Sequence, residues 1–376
     1  MIVTEIKVQN FRNHAESALQ FGEGINALLG DNGQGKTNIL EAVSYLGLTK
    51  SFYASSDQRT LQIGCDRFEI NGTIVAEGGH ASEIRIVFVR GTSEKTYTIN
   101  RVRQEKLSSV IGLFPVVVLS PENNAITFGG PAERRKFIDL ILSEISPLYL
   151  SDLLEFRRAL KQRNRILADG RFRNINPRGI IEPWNESLAA YGSRIIHRRG
   201  EFVSEFREYV KRAYRDLVDN EEEPEVSYLS SCGGDQSSTV EVLADRLQRQ
   251  LEEHSEEEQR RGVTLAGPHR DELEITLDGI NVQQYASQGQ HKTLQVALKM
   301  AEFFYLRERK EQSPILLLDD IFSELDTHRA ARILGFVADL NQSIVTTTDE
   351  RAFQGSVKWN ERHRQFYVSH GTVRPI

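Results

Sequence analysis

Residues 28–42 read LLGDNGQGKTNILEA: an apolar run, three glycines within six positions, then a helix-forming stretch. Glycine buries nothing and weakens regular structure, so packing does not account for Gly30, Gly33 and Gly35. A loop that turns backbone N–H groups inward around an anion does. Gly30-Asp31-Asn32-Gly33-Gln34-Gly35-Lys36-Thr37 matches G-x-x-x-x-G-K-[ST], the phosphate-binding loop that joins a buried strand to a helix. A chain carrying it is expected to build an α/β fold around that strand. Lys36 would reach the β- and γ-phosphates and Thr37 would offer a hydroxyl to a metal, so ATP and Mg²⁺ are the expected cofactors.

A second stretch completes such a site. Ile315-Leu316-Leu317-Leu318-Asp319-Asp320 reads as a central parallel strand ending in two carboxylates, where ligands collect in open α/β sheets. Asp319 would hold Mg²⁺ through water and Asp320 would polarise an attacking water. A third signal is Ser287-Gln288-Gly289-Gln290, where Ser287 precedes a long amphipathic pattern and would cap its helix. Alone that is a cap. About 30 residues before the acidic strand, and with Ser323-Glu324-Leu325-Asp326 following that strand, it becomes informative. Lys36, Asp320 and Ser287 are the candidate catalytic residues, with Thr37 and Asp319 as candidate metal ligands.

Along the chain, strands are expected over residues 2–8, 25–29, 68–75, 84–89 and 116–119. From Pro131 the period shifts to 3.6, with Phe137, Ile138, Ile141, Leu142 and Ile145 on one face, until Pro147 interrupts it. Helices follow over 148–168, roughly 30 Å long, and over 183–214. An acidic polar stretch and a further polar helix run to Arg261. Past Gly262 the β pattern resumes: residues 273–277 and 280–282 flank Asp278-Gly279, a hairpin signal. A helix over 288–310, the strand 315–318, a helix over 327–340 and the strand 343–347 continue the alternation. Residues 1–125 and 263–376 thus make one α/β lobe, with an all-helical arm domain inserted over 126–262.

Net charge is −6, yet it is unevenly placed. Residues 157–215 hold 15 Lys+Arg against 6 Asp+Glu, and residues 216–261 hold 4 against 14, so one face is suited to a polyanion. The candidate phosphate contacts are Arg157, Arg158, Lys161, Arg163, Arg165, Arg198, Arg199, Lys211 and Arg212. Arg134, Arg135 and Lys136 are weaker candidates, able instead to brace the first arm helix. With no reading helix, zinc spacing or aromatic stacking set, the expected nucleic-acid partner is double-stranded DNA bound without sequence preference. No stretch approaches the ~20 apolar residues of a membrane span, and Cys65 and Cys232 fit no metal spacing, so a cytoplasmic chain with reduced thiols and no membrane partner is expected.

A phosphate loop, then S-x-G-Q, then four aliphatics with DD-x-x-SELD resembles the ABC-type P-loop ATPase heads. Asn10-Phe11-Arg12-Asn13 and the loop variant GDNGQGKTN with Leu40-Glu41-Ala42 narrow the resemblance to the branch containing the SMC heads. Leu119-Ser120-Pro121-Glu122, Gly130-Pro131 with Arg134-Arg135-Lys136-Phe137-Ile138-Asp139, and Gly267-Pro268-His269-Arg270-Asp271 are similar to the RecF family of bacterial recombinational repair proteins. The likeness spans essentially the whole chain. It implies a head that forms a homodimer on ATP, each nucleotide held by residues 30–37 of one subunit and by Ser287, Gly289 and Gln290 of the other. It also implies that Arg12 and Asn13 serve the nucleotide of their own subunit while Asp326 acts across the interface. The activity implied is a slow, switch-like ATPase that clamps duplex DNA near gaps or lesions and helps load a recombinase, alongside other recombination-mediator proteins.

Two other readings compete. One is a docking protein whose ATP site regulates contacts to partners that hold the DNA. The other, a transporter ATPase subunit, fits poorly: Asp320 stands where transporters carry glutamate, Thr346-Thr347-Thr348 replace a switch histidine, and Ser120-Pro121-Glu122 replace a glutamine loop.

Overall fold

The structure, a computed structural model, describes residues 1–173, 178–219, 221–233, 238–324, 327–338, 340–349, 353 and 357–376. In chain order the elements are β1 (Ile2–Phe11), β2 (His14–Gln20), β3 (Ile25–Leu29), α1 (Lys36–Leu48), β4 (Arg67–Val75), β5 (Ala81–Val89), β6 (Glu94–Ile99), β7 (Val102–Arg103), β8 (Val116–Leu119) and α2 (Asn124–Phe128). Next come α3 (Pro131–Ile145), α4 (Pro147–Arg173), α5 (Arg178–Arg215), β9 (Pro224–Leu229), α6 (Val240–Glu253), α7 (Ser255–Arg261), β10 (Glu272–Leu277), β11 (Ile280–Asn281) and α8 (Val282–Tyr285). The remaining elements are α9 (Gln288–Lys310), β12 (Ile315–Asp319), α10 (Thr327–Ala338), β13 (Ser343–Thr347), β14 (Arg364–Ser369) and β15 (Thr372–Pro375). They divide into two compact units, the first holding 1–124, 212–221 and 292–376, the second 125–211 and 222–291.

In the first unit β2-β1-β4-β5-β6-β7 form an antiparallel sheet, and β15-β14-β3-β13-β12-β8 form a second sheet. β3, β8, β12, β13 and β14 of the second sheet run parallel. Every residue of β3, β8, β12 and β13 is buried, as a parallel sheet covered on both faces requires. Helix α1 touches strands of both sheets, and everything from Ile39 to Leu48 is buried. A helix buried along this much of its length belongs in such a layer. Phe11, Tyr45, Phe68 and Phe88 pack edge-on or stacked there at 5.3–5.8 Å between centroids. Helix α1 is thereby fixed along its length, and with it the loop that opens it.

The second unit is mostly helical and also contains the sheet β11-β10-β9. The expectation of an all-helical insert needs that amendment. β9 lies in the acidic stretch and pairs with β10 from Glu272↔Leu229 to Leu277↔Pro224. This pairing ties the Asp278-Gly279 hairpin to the insert, so the compact division falls at 291/292 and not at 262/263. The helices are longer than their sequence pattern suggests: α4 reaches Arg173, and α5 begins at Arg178 with Pro183 inside it.

Candidate functional site

The phosphate-loop residues sit where β3 ends and α1 begins. Gly30 has φ 142 and Gly35 has φ 110, the left-handed side that favours glycine. A side chain on Gly30 would lie 2.3 Å from Val368 O, and one on Gly35 would lie 2.5 Å from Asn13 Oδ1. These glycines let two neighbouring segments close on the loop. From the β1–β2 turn, Asn13 Nδ2 donates to Gln34 O (3.0 Å) and His14 Nε2 lies 3.0 Å from Gly35 O. From the β14–β15 turn, the amides of His370 and Gly371 donate to Gln34 Oε1 (2.7 Å) and Gln34 O (3.0 Å). Asn38 Nδ2 donates to Asn13 Oδ1 at 2.7 Å, which fixes the Asn13 amide.

Lys36 folds back over the loop, its Nζ donating to Gly30 O (2.7 Å) and Asp31 O (2.8 Å). Burial pushes its ammonium below the usual lysine range, against the pull of Asp320, Asp319 and Asp31. Across from it, Thr37 Oγ1 donates to Asp319 Oδ1 at 2.7 Å, and Thr346 Oγ1 donates to the same oxygen at 2.8 Å. Burial pushes the Asp319 carboxyl up, opposed by these two hydroxyl donors. Cation and carboxylate alike are thus held where their charged forms are disfavoured, which an added anion and an added cation would relieve. A hydroxyl beside a carboxylate is also the hard-oxygen donor set that Mg²⁺ takes together with phosphate and water. The residues present fit that metal.

Asp320 has φ 47, a left-handed backbone outside any helix, and its amide donates to Thr346 Oγ1 at 2.9 Å. One hydroxyl therefore orients both Asp319 and Asp320, a role for Thr346 that nothing in the sequence pattern suggested. Strain held at a candidate catalytic position is of the kind that a surrounding structure maintains for function.

Arg12 is engaged already. Its Nε and Nη2 donate to the two carboxylate oxygens of buried Glu41 at 2.7 Å each, and Nη1 donates to Arg59 O at 3.0 Å. Glu41 also accepts from Ser51 Oγ, so the Lys50-Ser51-Phe52-Tyr53 stretch is tied to this pair. The Arg12 guanidinium is directed by Glu41 and lies 5.9 Å from the Tyr53 ring centre.

In the second unit Ser287 caps α9 in a reciprocal pair. Gln290 N–H donates to Ser287 Oγ (3.2 Å) and Ser287 N–H donates to Gln290 Oε1 (2.8 Å). Ser287 and Gln288 are exposed, so this helix N-terminus is open to solvent. Asp326 lies outside the described residues.

The basic arm residues separate into two groups. Arg157, Arg158, Lys161, Arg165 and Arg198 are exposed. Arg163 and Arg199 are not: they are 1% and 2% exposed and are withdrawn as DNA contacts. Arg163 donates to Glu258 Oε2 (2.6 Å), Asn185 Oδ1 (2.7 Å) and Thr264 Oγ1 (2.8 Å). Arg199 donates to Asp139 Oδ1 (2.8 Å) and Pro268 O (2.7 Å), with Tyr149 OH on the same carboxylate. Counting charges along the chain cannot separate such buried, structural cations from exposed ones. Lys211 pairs with Glu225 at 2.6 Å, and exposed Arg212 lies over the Phe304 ring at 5.8 Å. Arg134 is a brace, its fork held by Glu272 at 2.7 and 2.8 Å.

Comparison with known proteins bears on this arrangement. The sequence profile described as "RecF/RecN/SMC N terminal domain" matches residues 2–371. Among curated relatives, a "DNA replication and repair protein RecF" of Salinibacter ruber is 38% identical over 99% of this chain and 91% of its own. Its counterpart in Chloroherpeton thalassium is 38% identical over 94% of this chain and 96% of its own. Among solved structures, the recombination mediator protein RecF of the RecFOR pathway superposes with TM-scores of 0.91 in its ATPrS form and 0.89 in its ATP form. Both are 29% identical and cover 100% of this chain, and 98% and 99% of their own. An SMC head domain from Pyrococcus furiosus, 17% identical with a TM-score of 0.56, shares the fold. The ABC-type ATPase head expected from the motifs is therefore the fold observed, and the chain belongs to the RecF family of DNA replication and repair proteins.

Proposed function

We propose that this chain is an ATP-switched DNA-binding protein that closes as a homodimer on duplex DNA and opens by slow hydrolysis. The observation that carries the reading is the cluster of Lys36, Thr37 and Asp319, assembled at a braced glycine loop where burial disfavours the charge of both Lys36 and Asp319. Residues 30–37 would wrap the triphosphate, and Arg12 and Asn13 border it. Thr37 and Asp319 would hold Mg²⁺, which supplies charge neutralisation on the phosphates. Asp320 would accept the proton of the attacking water.

The exposed start of α9 supports the dimer reading. Ser287 and Gln288 are exposed at the start of α9, and Ser287, Gly289 and Gln290 would bring the positive end of its dipole to an anion. A second subunit's γ-phosphate would meet it, and Asp326 would work across the same interface. ATP then favours the dimer only as far as it binds that state more tightly. Duplex contact falls to Arg157, Arg158, Lys161, Arg165 and Arg198, with Lys211 and Arg212 at the margin. A cytoplasmic setting and other recombination mediators as partners complete the proposal.

Fluorescence anisotropy of a labelled duplex with ATP, ADP or no nucleotide, at two salt concentrations, tests it. Tight binding with ATP alone, with a log–log salt slope of about −0.9 per phosphate neutralised, supports the clamp. Duplex binding absent in every nucleotide state assigns the DNA to partner proteins and leaves a docking role.

A further inference from the structure

Three consecutive cations open α3, and they have different fates. Arg134 is buried against Glu272 in a two-pronged ion pair. Arg135 is half-buried, donates through Nη1 to the carbonyl of Asp271 (2.7 Å) and forms no ion pair among the described residues. Burial, then repulsion from Arg199, pushes its guanidinium below the usual arginine range. Lys136 is 73% exposed at its side chain, with Glu133 3.5 Å away.

Arg135 and Lys136 line a cavity of about 150 Å³ in the second unit, together with Asp139, Arg157, Arg199, Pro268 and His269. The acidic side chain in that lining is already used: Asp139 accepts from Arg199, Tyr149 and Arg157. Arg199 is likewise satisfied by Asp139 and Pro268. His269 is neutral, with burial holding it down to about 4. The donors left over therefore belong to Arg135, Lys136 and Arg157. A guanidinium of five N–H donors that is partly buried with one carbonyl partner is an incomplete arrangement, and an oxyanion completes it. The volume matches about five waters, enough for one phosphate group and its closest waters.

We propose that this cavity is a phosphate-binding site, in which Arg135, Lys136 and Arg157 grip a single phosphate group in the second unit, apart from the glycine loop of the first. Its source is either a backbone phosphate of the duplex, which rests on the proposed function, or a free phosphate, which does not. A backbone phosphate held this way would position the duplex without reading its sequence.

The test uses the full chain with Arg135→Gln, Lys136→Gln and Arg157→Gln, beside Arg249→Gln, which removes an exposed cation from α6. Melting temperatures identify any variant that fails to fold, and exposed Lys136 keeps the test alive if Arg135→Gln unfolds. Duplex anisotropy across a salt series and ³¹P line broadening of inorganic phosphate are the readouts. For a backbone phosphate, Arg135→Gln and Lys136→Gln weaken duplex binding about 10-fold and lower the salt slope by about 1, while Arg249→Gln does neither. For free phosphate, wild type broadens the ³¹P line, the Arg135 and Lys136 variants do not, and duplex binding is unaltered. Wild-type failure to bind duplex sinks the clamp and leaves the ³¹P result to decide the cavity. Folded variants that match wild type in duplex affinity, salt slope and ³¹P width overturn the proposal.

Discussion

Arg163→Met offers the sharpest check on the division of the arm's cations. Arg163 and Glu258 are 1% and 0% exposed, and their ion pair spans 2.6 Å. Glu258 Oε1 in turn accepts the amide of Leu265 at 2.7 Å, so the carboxylate cannot move to water without releasing the chain beside it. Methionine fills much of the volume and leaves that carboxylate buried without its cation. Removing one member of a buried pair costs about 3–5 kcal/mol. At about 2–4 °C per kcal/mol for a unit of this size, calorimetry should show the second unit's transition lowered by about 6–20 °C. Replacing both residues, Arg163→Met with Glu258→Met, should recover part of the loss, because both buried charges are gone while the Leu265 amide loses its acceptor. The duplex-binding salt slope of the folded single variant should equal that of wild type. A melting temperature within about 2 °C of wild type, with a salt slope reduced by about 1, would return Arg163 to the DNA contacts and refute the reasoning.

Other consequences follow from the same geometry. Lys36→Ala removes the cation directed at the loop and should weaken ATP binding by about two orders of magnitude, read by a fluorescent ATP analogue; retained affinity would discard its role. Ser287→Arg should leave ATP binding by the monomer intact and prevent ATP-induced dimers in size-exclusion chromatography, and dimers of normal size would remove Ser287 from the interface. Asp320→Asn suits the left-handed backbone and should accumulate the ATP-bound dimer with phosphate release slowed; unchanged turnover would exclude Asp320 from the chemistry. His269 is held near 4 against an ordinary 6.5, so the unfolded chain takes up that proton first. The second unit should keep its full stability above pH 6.5 and lose part of it as pH falls towards about 4, a dependence that His269→Gln flattens in urea titrations.

The glycine loop and the acidic strand were legible because their chemistry is local: Gly30 to Thr37 and Ile315 to Asp320 each carry their meaning within eight residues. The bracing of the loop was not. Asn13, Gln34 and Gly371 meet through pairings more than 20 or 300 residues apart, and no periodicity announces such contacts. β9 was missed although Glu225-Val226-Ser227-Tyr228 alternates, because the acids around it masked a strand that stands only by pairing with β10. The Asp278-Gly279 hairpin was found and its unit was not, for the same reason. Arg163 and Arg199 were misread because a run of like charges says nothing about Glu258 or Asp139, which reach them from 95 and 60 positions away. In the Arg134-Arg135-Lys136 triplet, identical neighbours acquire opposite fates from the helix face each one occupies.

β3, the strand that feeds the glycine loop, has β13 and β14 as its neighbours in the sheet, and Gly371 closes on the loop itself. A growing polypeptide that has emerged through residue 37 owns the nucleotide motif but none of the strands that flank it. At about 5–20 residues per second, roughly 20–70 s of translation separates Gly35 from Ser369. During that interval the second unit, complete by residue 291, can already be folded. Competence to hold a nucleotide is thus acquired late in synthesis, and a product stalled before residue 343 carries the motif without the site.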